Sequence, residues 1–296
     1  MNYKFFIAVT AFNPLSRIDK LLKIFSEYKK LPGSKEVFIY VDWDHREDVP
    51  LLYERIGSQF EGLSIQAVVC SPRFQGFGLT WAHKEDLKTA VLAKKYDFYI
   101  YSEDDMLFTE ANFKYWFSYK DRLSRLNLEP GFCRVERRGD FLIPFDNYRV
   151  WNIGKATPDV WHDIPYVCTT YKTHEDPFWG FVSPANPYSA LMVLDQSSAE
   201  RYIESDSFCP NKSFLKVAHR NWPIADRSSM GVAFEDLLPY QEHKRVIPVV
   251  MNEDGALEVA ECGLVEHLDN RYSEDLASKN TKLITTKTMF SLSEST

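Results

Sequence analysis

The chain has no excess of positive charge: 35 lysines and arginines stand against 42 aspartates and glutamates, a formal net charge of −7. Neutralising a phosphate backbone without regard to sequence demands a basic surface, so a general nucleic-acid binder is excluded. Cysteine is scarce and unpaired. The five, Cys70, Cys133, Cys168, Cys209 and Cys262, are odd in number and widely separated, with no CxxC pair and no zinc-like spacing. They read as reduced thiols rather than a disulfide framework or a zinc site. No apolar run approaches the roughly 18 residues that would cross a bilayer as a helix, and Phe5 to Val9 is too short and wrongly flanked for a signal peptide. The expectation is a cytoplasmic protein without a transmembrane span, with room for peripheral attachment at the inner membrane face. GxxxxGK(S/T), GxSxG and HExxH are all missing, which removes P-loop hydrolases, serine esterases and zinc proteases of those types.

What is present is a globular composition, 296 residues with 45% hydrophobic and 15% aromatic content, enough for a sizeable core. The first half alternates strand-like and helix-like segments with a period of about 30 residues, the length of a βαβ unit, which predicts an α/β fold with a mainly parallel sheet. Strands are expected at Phe5 to Val9, Val37 to Val41 and Ile65 to Cys70, and helices at Leu15 to Tyr28 and Leu79 to Lys95. Further along, Phe113 to Leu128 reads helical, Phe132 to Glu136 strand-like, and Asp140 to Pro187 irregular and substrate-facing. Ser189 to Leu194 and Arg245 to Val250 read as strands, Ser197 to Ile203 and Phe234 to Tyr240 as helices. No internal repeat is visible, and the polar tail after about Ser273 looks dispensable.

Tyr96 to Asp105 reads Tyr-Asp-Phe-Tyr-Ile-Tyr-Ser-Glu-Asp-Asp, an apolar and aromatic run ending on three carboxylates. Such a run suits a central parallel strand covered on both faces, and in open α/β sheets the ligand crevice lies at the carboxyl ends of those strands. Adjacent carboxylates repel one another, and a divalent cation bound through oxygen is the natural way to hold them ionised beside a core. In extended geometry Glu103 and Asp105 share one face and Asp104 takes the other. The competing reading is a solvated acidic turn.

Other candidate groups lie at neighbouring strand exits. Thr10-Ala11-Phe12-Asn13 follows the first strand, and Asp42 and Asp44 follow the second, where an acid can accept from ribose hydroxyls or a base. Arg73, His83 and Lys84 flank the loop holding Gly76 and Gly78, where cations could reach a diphosphate. Lys84 and Glu85 could equally be a solvated helix face. Glu235-Asp236 follows Gly231 and opens an apolar helical turn, either as a carboxylate base or simply as acids on a helix dipole. His267, after Leu264-Val265, is a potential imidazole partner for carboxylates around an Mn²⁺-like ion, or an ordinary histidine. Arg134, Arg137 and Arg138 form a basic knot, and Trp151, Trp161, Trp179 and Trp222 could pack against sugars or merely fill a core.

In their order along the chain, Glu103-Asp104-Asp105, Gly180 or Gly231, Glu235-Asp236 and His267 resemble the GT-A class of nucleotide-sugar glycosyltransferases. The resemblance spans roughly Lys4 to Tyr272, and its strength lies in the combination of short motifs. It implies a Rossmann-type three-layer sandwich in one catalytic domain, 1–272, with a nucleotide-sugar half at 1–112, an acceptor-binding and catalytic half at 113–272, and a tail at 273–296. It implies a metal-dependent transfer of sugar from a nucleoside-diphosphate donor, by default a UDP-sugar, to a hydroxyl of a glycan or glycolipid, in surface glycan or polysaccharide synthesis. Asp105 and His267 would hold Mn²⁺ or Mg²⁺, and Glu103 and Asp104 would assist at the donor beside Thr10, Asn13, Asp42, Asp44, Arg73 and Lys84. Asp236 would be the base of an inverting reaction, with Glu235 orienting substrate. The sequence departs from the usual DxD pattern in having Glu103 at its first position. A sugar nucleotidyltransferase remains an alternative, although Thr10 to Pro14 lacks its glycine-rich basic signature, as does a non-catalytic carbohydrate-binding or scaffold protein of the same fold.

Overall fold

Residues Tyr3–Ala11 form the first strand, β1, and from Phe5 onward every side chain is buried. A strand with both faces covered has no solvent side to alternate toward, so it reads as a continuous apolar run. The computed structural model describes residues 2–144, 167–172, 178–184, 188–215, 222–234, 244–278 and 286. The chain divides into two compact units, the first comprising Met1–Glu110, Ala190–Lys216 and Trp222–Glu235, the second Ala111–Ser189, Val217–Asn221 and Asp236–Thr296.

The first unit is α/β, as its alternating segments predict. β1 pairs in parallel with Gly33–Val41 (β2), which pairs in parallel with Leu63–Val69 (β3), and on its other side β1 pairs in parallel with Phe98–Glu103 (β4). The antiparallel strand Leu191–Asp195 completes the order Leu191–Asp195, β4, β1, β2, β3. The chain moves outward from β1 to β3 and returns to lie on β1's opposite side as β4, so the strand order reverses between β1 and β4. That is the switch point where α/β sheets open a ligand crevice.

Helix Ile18–Lys30 (α1) buries Leu21, Ile24, Phe25 and Tyr28, spaced as one face of a 3.6-residue helix. Between β2 and β3 the structure inserts a 3₁₀ segment, Trp43–Asp48, and a helix, Val49–Ile56 (α2). Neither has a clear sequence signature, because α2 buries only Leu52 and Ile56. The helix expected over Leu79 to Lys95 is shorter: Gly76–Trp81 is a 3₁₀ segment and the α-helix is Lys84–Leu92 (α3). Lys94 takes a left-handed φ of 49° just beyond it, which ends the helical path. A core of Phe6, Ala8, Tyr99, Tyr101, Leu87 and Val91, among others, joins α3 and the Gln196–Glu204 helix to the sheet.

The second unit opens within helix Glu110–Ser124, at Ala111. One of its sheets runs Leu257–Val259, Arg245–Met251, Gly180–Pro184 and Val167–Lys172, antiparallel along this order, and Glu129–Pro130 pairs in parallel with Arg245–Met251. In another, Cys133–Arg138 pairs in parallel with Leu264–His267 and antiparallel with Phe141–Ile143. Val135, Ile143, Val182, Ile247, Val249 and Val259 form its core. Among the described residues no helix is long and apolar enough to cross a membrane.

Candidate functional site

The acidic run sits where β1 and β4 part. Thr10 and Glu103 are register partners, and the Asp104 N–H donates to Thr10 O at 3.1 Å, extending the β1–β4 pairing one residue past the strand. β4 ends at Glu103, and Asp104 and Asp105 belong to the turn before Met106. The alternation expected for an extended run therefore stops at Glu103. Asp104 and Asp105 are both buried, at 7% and 5% exposure, while Glu103 is only half-buried. A solvated acidic turn would look otherwise. Arg17, at the start of α1, places Nη1 3.5 Å from Asp105 Oδ2. Asp104 Oδ2 has no hydrogen-bond partner among the described residues. Burial, and then the adjacent Asp105 carboxylate, push the Asp104 carboxyl up to about 8 despite the pull of Arg17 and Lys20.

Thr10 is buried, with its hydroxyl 3.2 Å from Tyr101 Oη. Asn13 accepts the Ser16 N–H at 3.2 Å through its side chain and the Ser16 hydroxyl at 2.9 Å through its carbonyl, a turn that leads into α1. Asp42 is buried and caps the Trp43–Asp48 segment by accepting the Asp44 N–H at 3.0 Å, and its Oδ2 has no partner among the described residues. Asp44 is exposed and takes a hydrogen bond from Gln75 at 3.3 Å. Arg73 is exposed, with its guanidinium over Phe74 at 4.6 Å.

Lys84 is not on a solvated helix face. It is buried, its Nζ donating to Tyr202 Oη and, at 2.6 Å, to Ser228 O, with the Tyr202 and Trp81 rings 4.5 and 5.2 Å away. Its Nζ is committed to packing α3 against the Gln196–Glu204 helix and the segment after Trp222. The adjacent His83 is fully buried and stacks on Tyr101 at 4.3 Å, and burial, then the nearby Lys84, hold its pKa well below the ordinary histidine range.

In the second unit, His267 ends the Leu264–His267 strand and is 2% exposed. The parallel register, Glu266 opposite Val135, carries it beside Glu136. His267 Nδ1 lies 2.6 Å from Glu136 Oε1, and Glu136 is 0% exposed. The Tyr272 N–H donates to Oε1 and the Ser273 N–H to Oε2. Burial would raise the Glu136 carboxyl, but the hydrogen bonds from His267 and Ser273 outweigh it and hold it below its ordinary value. A carboxylate only accepts, so Nδ1 carries the proton in neutral His267 and Nε2 carries the lone pair. A ring nitrogen of His267 and a carboxylate oxygen of Asp269 lie within 4.8 Å of one another.

Glu235, Asp236, Trp151 and Trp161 lie outside the described residues, which stop before them at Phe234 and Pro144 respectively. No protein-family model matches the chain, and no curated protein does. Among solved structures it is similar to the 4-diphosphocytidyl-2C-methyl-D-erythritol synthase of Anaerococcus prevotii, 14% identical with a TM-score of 0.33, over 69% of this chain and 76% of that one. It is also similar to the S. aureus TarS fragment 1-349 in complex with UDP, 11% identical with a TM-score of 0.37, over 82% of this chain. The match spans 60% of that fragment's length. Likenesses this distant decide nothing about activity.

Two residues escaped the sequence reading. Glu136 sits in a strand between Val135 and two arginines, 131 positions from His267, and only the pairing of two distant strands brings the two together. Asp269 had a local signal, its spacing of two from His267, that a histidine considered alone does not use.

Proposed function

We propose that this protein is a metal-dependent glycosyltransferase that moves a sugar from a nucleoside-diphosphate donor, a UDP-sugar, to a hydroxyl acceptor. The observation that carries the reading is the buried pair Asp104 and Asp105 at the switch point of a parallel sheet, one of them pushed up to about 8 by burial and its neighbour. A carboxylate such as Asp105 and a neutral imidazole such as His267 are donors of the kind that suit Mn²⁺ or Mg²⁺, and within the second unit Asp269 has an oxygen beside that imidazole. The bound ion would supply Lewis acidity toward the departing nucleoside diphosphate.

The chain's own residues divide the remaining work. Asp42, Asp44, Thr10 and Asn13 would contact base and ribose, and Glu103 and Asp104 the sugar-bearing end, with Arg73 reaching the diphosphate. In an inverting transfer the acceptor oxygen forms a bond to the anomeric carbon as the bond from that carbon to the diphosphate oxygen breaks. Asp236 takes the acceptor's proton, and Glu235 orients the acceptor. Lys84, committed inside the first unit, has no part in this set.

Calorimetric titration of nucleoside diphosphates and their sugars, with Mn²⁺ and then with chelator, tests the reading. Mn²⁺-dependent binding selective for uridine is expected, lost in Asp105→Ala and kept in Asp236→Ala, which should instead abolish transfer. Equal donor affinity in the wild type and Asp105→Ala refutes the metal assignment. Absence of binding to any nucleotide refutes the transferase reading as a whole.

A further inference from the structure

The environment of Glu136 gives it a role that neither its position in the sequence nor the acidic motif suggests. It lies on the Cys133–Arg138 strand with both oxygens engaged by N–H donors: His267 Nδ1 at 2.6 Å and the Tyr272 amide at 3.3 Å on Oε1, and the Ser273 amide on Oε2. Tyr272 and Ser273 begin the Arg271–Ser278 helix, so its first turn presents amide donors to the carboxylate. The turn between strand and helix is itself fixed. Asn270 takes a left-handed φ of 55° and accepts the Arg137 N–H at 3.0 Å, and the Ser273 hydroxyl donates to Asn270 O at 3.0 Å. Glu136 therefore cannot swing away from the imidazole without leaving two backbone amides unsatisfied.

We propose that Glu136 is the positioning residue of the metal-binding histidine: by accepting from Nδ1 it holds His267 in the Nδ1–H tautomer and aims the Nε2 lone pair at a divalent cation. This rests on the metal reading of His267 given above, and it extends that reading to a residue with no place in the acidic motif. An imidazole bound through one nitrogen commonly gives its other N–H to a carboxylate, which fixes the ring and raises the basicity of the ligating nitrogen. Here the carboxylate is provided by the strand next to the one that ends in His267, and is itself held by a helix N-terminus.

Glu136→Gln is close to isosteric and has a defined consequence. The side-chain amide has one acceptor and one donor end, whereas every partner of Glu136 is a donor. With its oxygen turned to the Ser273 amide, the closer of the two backbone donors, its NH₂ takes the place of Oε1, meets His267 Nδ1 and forces the Nε2–H tautomer, which removes the lone pair from the ligating atom. The experiment is ¹⁵N NMR of the full chain labelled at histidine, with His267→Gln to assign the resonance, together with Mn²⁺ calorimetry on the same proteins. The wild type should show Nδ1 protonated and Nε2 unprotonated at neutral pH, Glu136→Gln should shift the pattern toward Nε2–H, and its Mn²⁺ affinity should fall about 10- to 100-fold. Glu136→Asp, which keeps the charge and an acceptor-only side chain, should retain the wild-type tautomer. An Nε2–H tautomer in the wild type, or Mn²⁺ affinity in Glu136→Gln equal to that of the wild type, overturns the proposal. Absence of Mn²⁺ binding by the wild type together with an Nδ1–H signal would overturn the metal role of both residues, whereas the tautomer signal alone decides whether Glu136 orients the ring, with no variant required to fold.

Discussion

Replacing Asn112 with alanine should loosen the strand that ends in His267. Asn112 is 1% exposed, and its Nδ2 donates to the carbonyl oxygens of Cys262 and Leu264 at 2.8 Å each. A single amide on helix Glu110–Ser124 thus holds both the Glu261–Gly263 turn and the first residue of the Leu264–His267 strand. Each such bond contributes about 1 kcal/mol net, and a buried acceptor deprived of its donor costs about 1–3 kcal/mol. Asn112→Ala should therefore cost about 2–4 kcal/mol. At about 2–4 °C per kcal/mol for a chain of this size, the melting temperature should fall by roughly 5–15 °C. Circular dichroism melts or scanning calorimetry read this directly. Asn112→Asp separates hydrogen bonding from packing, because the carboxylate keeps the shape but turns acceptors toward acceptors, and it should be at least as damaging as alanine. Melting of the alanine variant within about 1 °C of the wild type, or an aspartate variant milder than alanine, would refute the reasoning.

Lys84→Met should leave stability at neutral pH unchanged or raise it, since the buried Nζ is held by a phenol and a carbonyl oxygen rather than by a carboxylate. Burial depresses its pKa well below the ordinary lysine range. The unfolded chain therefore binds the extra proton, and this group makes stability rise with pH from the folded-state pKa up to the ordinary one. Urea denaturation at a series of alkaline pH values should show a shallower rise in the variant, and equal slopes would sink the assignment. Gly33→Ala should strongly destabilise the first unit, because Gly33 has φ +115° and an added Cβ would lie 2.0 Å from Tyr3 O at the start of the β1–β2 pairing. A cost of about 2–4 kcal/mol is expected from backbone strain and overlap together, and a variant as stable as the wild type in urea would contradict it.

The continuous apolar runs at β1 and β4 and the four-residue spacings of α1 were legible as sequence, because burial on two faces or on one helical stripe leaves a periodic mark on the residue order. The α/β class of the first unit follows from their alternation, and so does the place of Glu103, Asp104 and Asp105 at a strand exit. Short elements left no such mark. α2 is eight residues long with two buried side chains, and the 3₁₀ segment Gly76–Trp81 replaced the start of an expected helix at the glycines. The environment of each charged group was illegible for a different reason. Lys84 precedes an exposed glutamate and looks solvated, yet it is buried because Tyr202 and Ser228, more than a hundred positions away, supply its partners. Glu136 reads like any strand carboxylate between Val135 and Arg137, and it meets His267 only through the parallel pairing of Cys133–Arg138 with Leu264–His267. Local order thus determined which residue types stand at the ends of which strands. Hydrogen bonds and burial, which act between groups close in space whatever their separation along the chain, decided which of those residues became structural, which were buried beside a like charge, and which meet a partner from a distant strand.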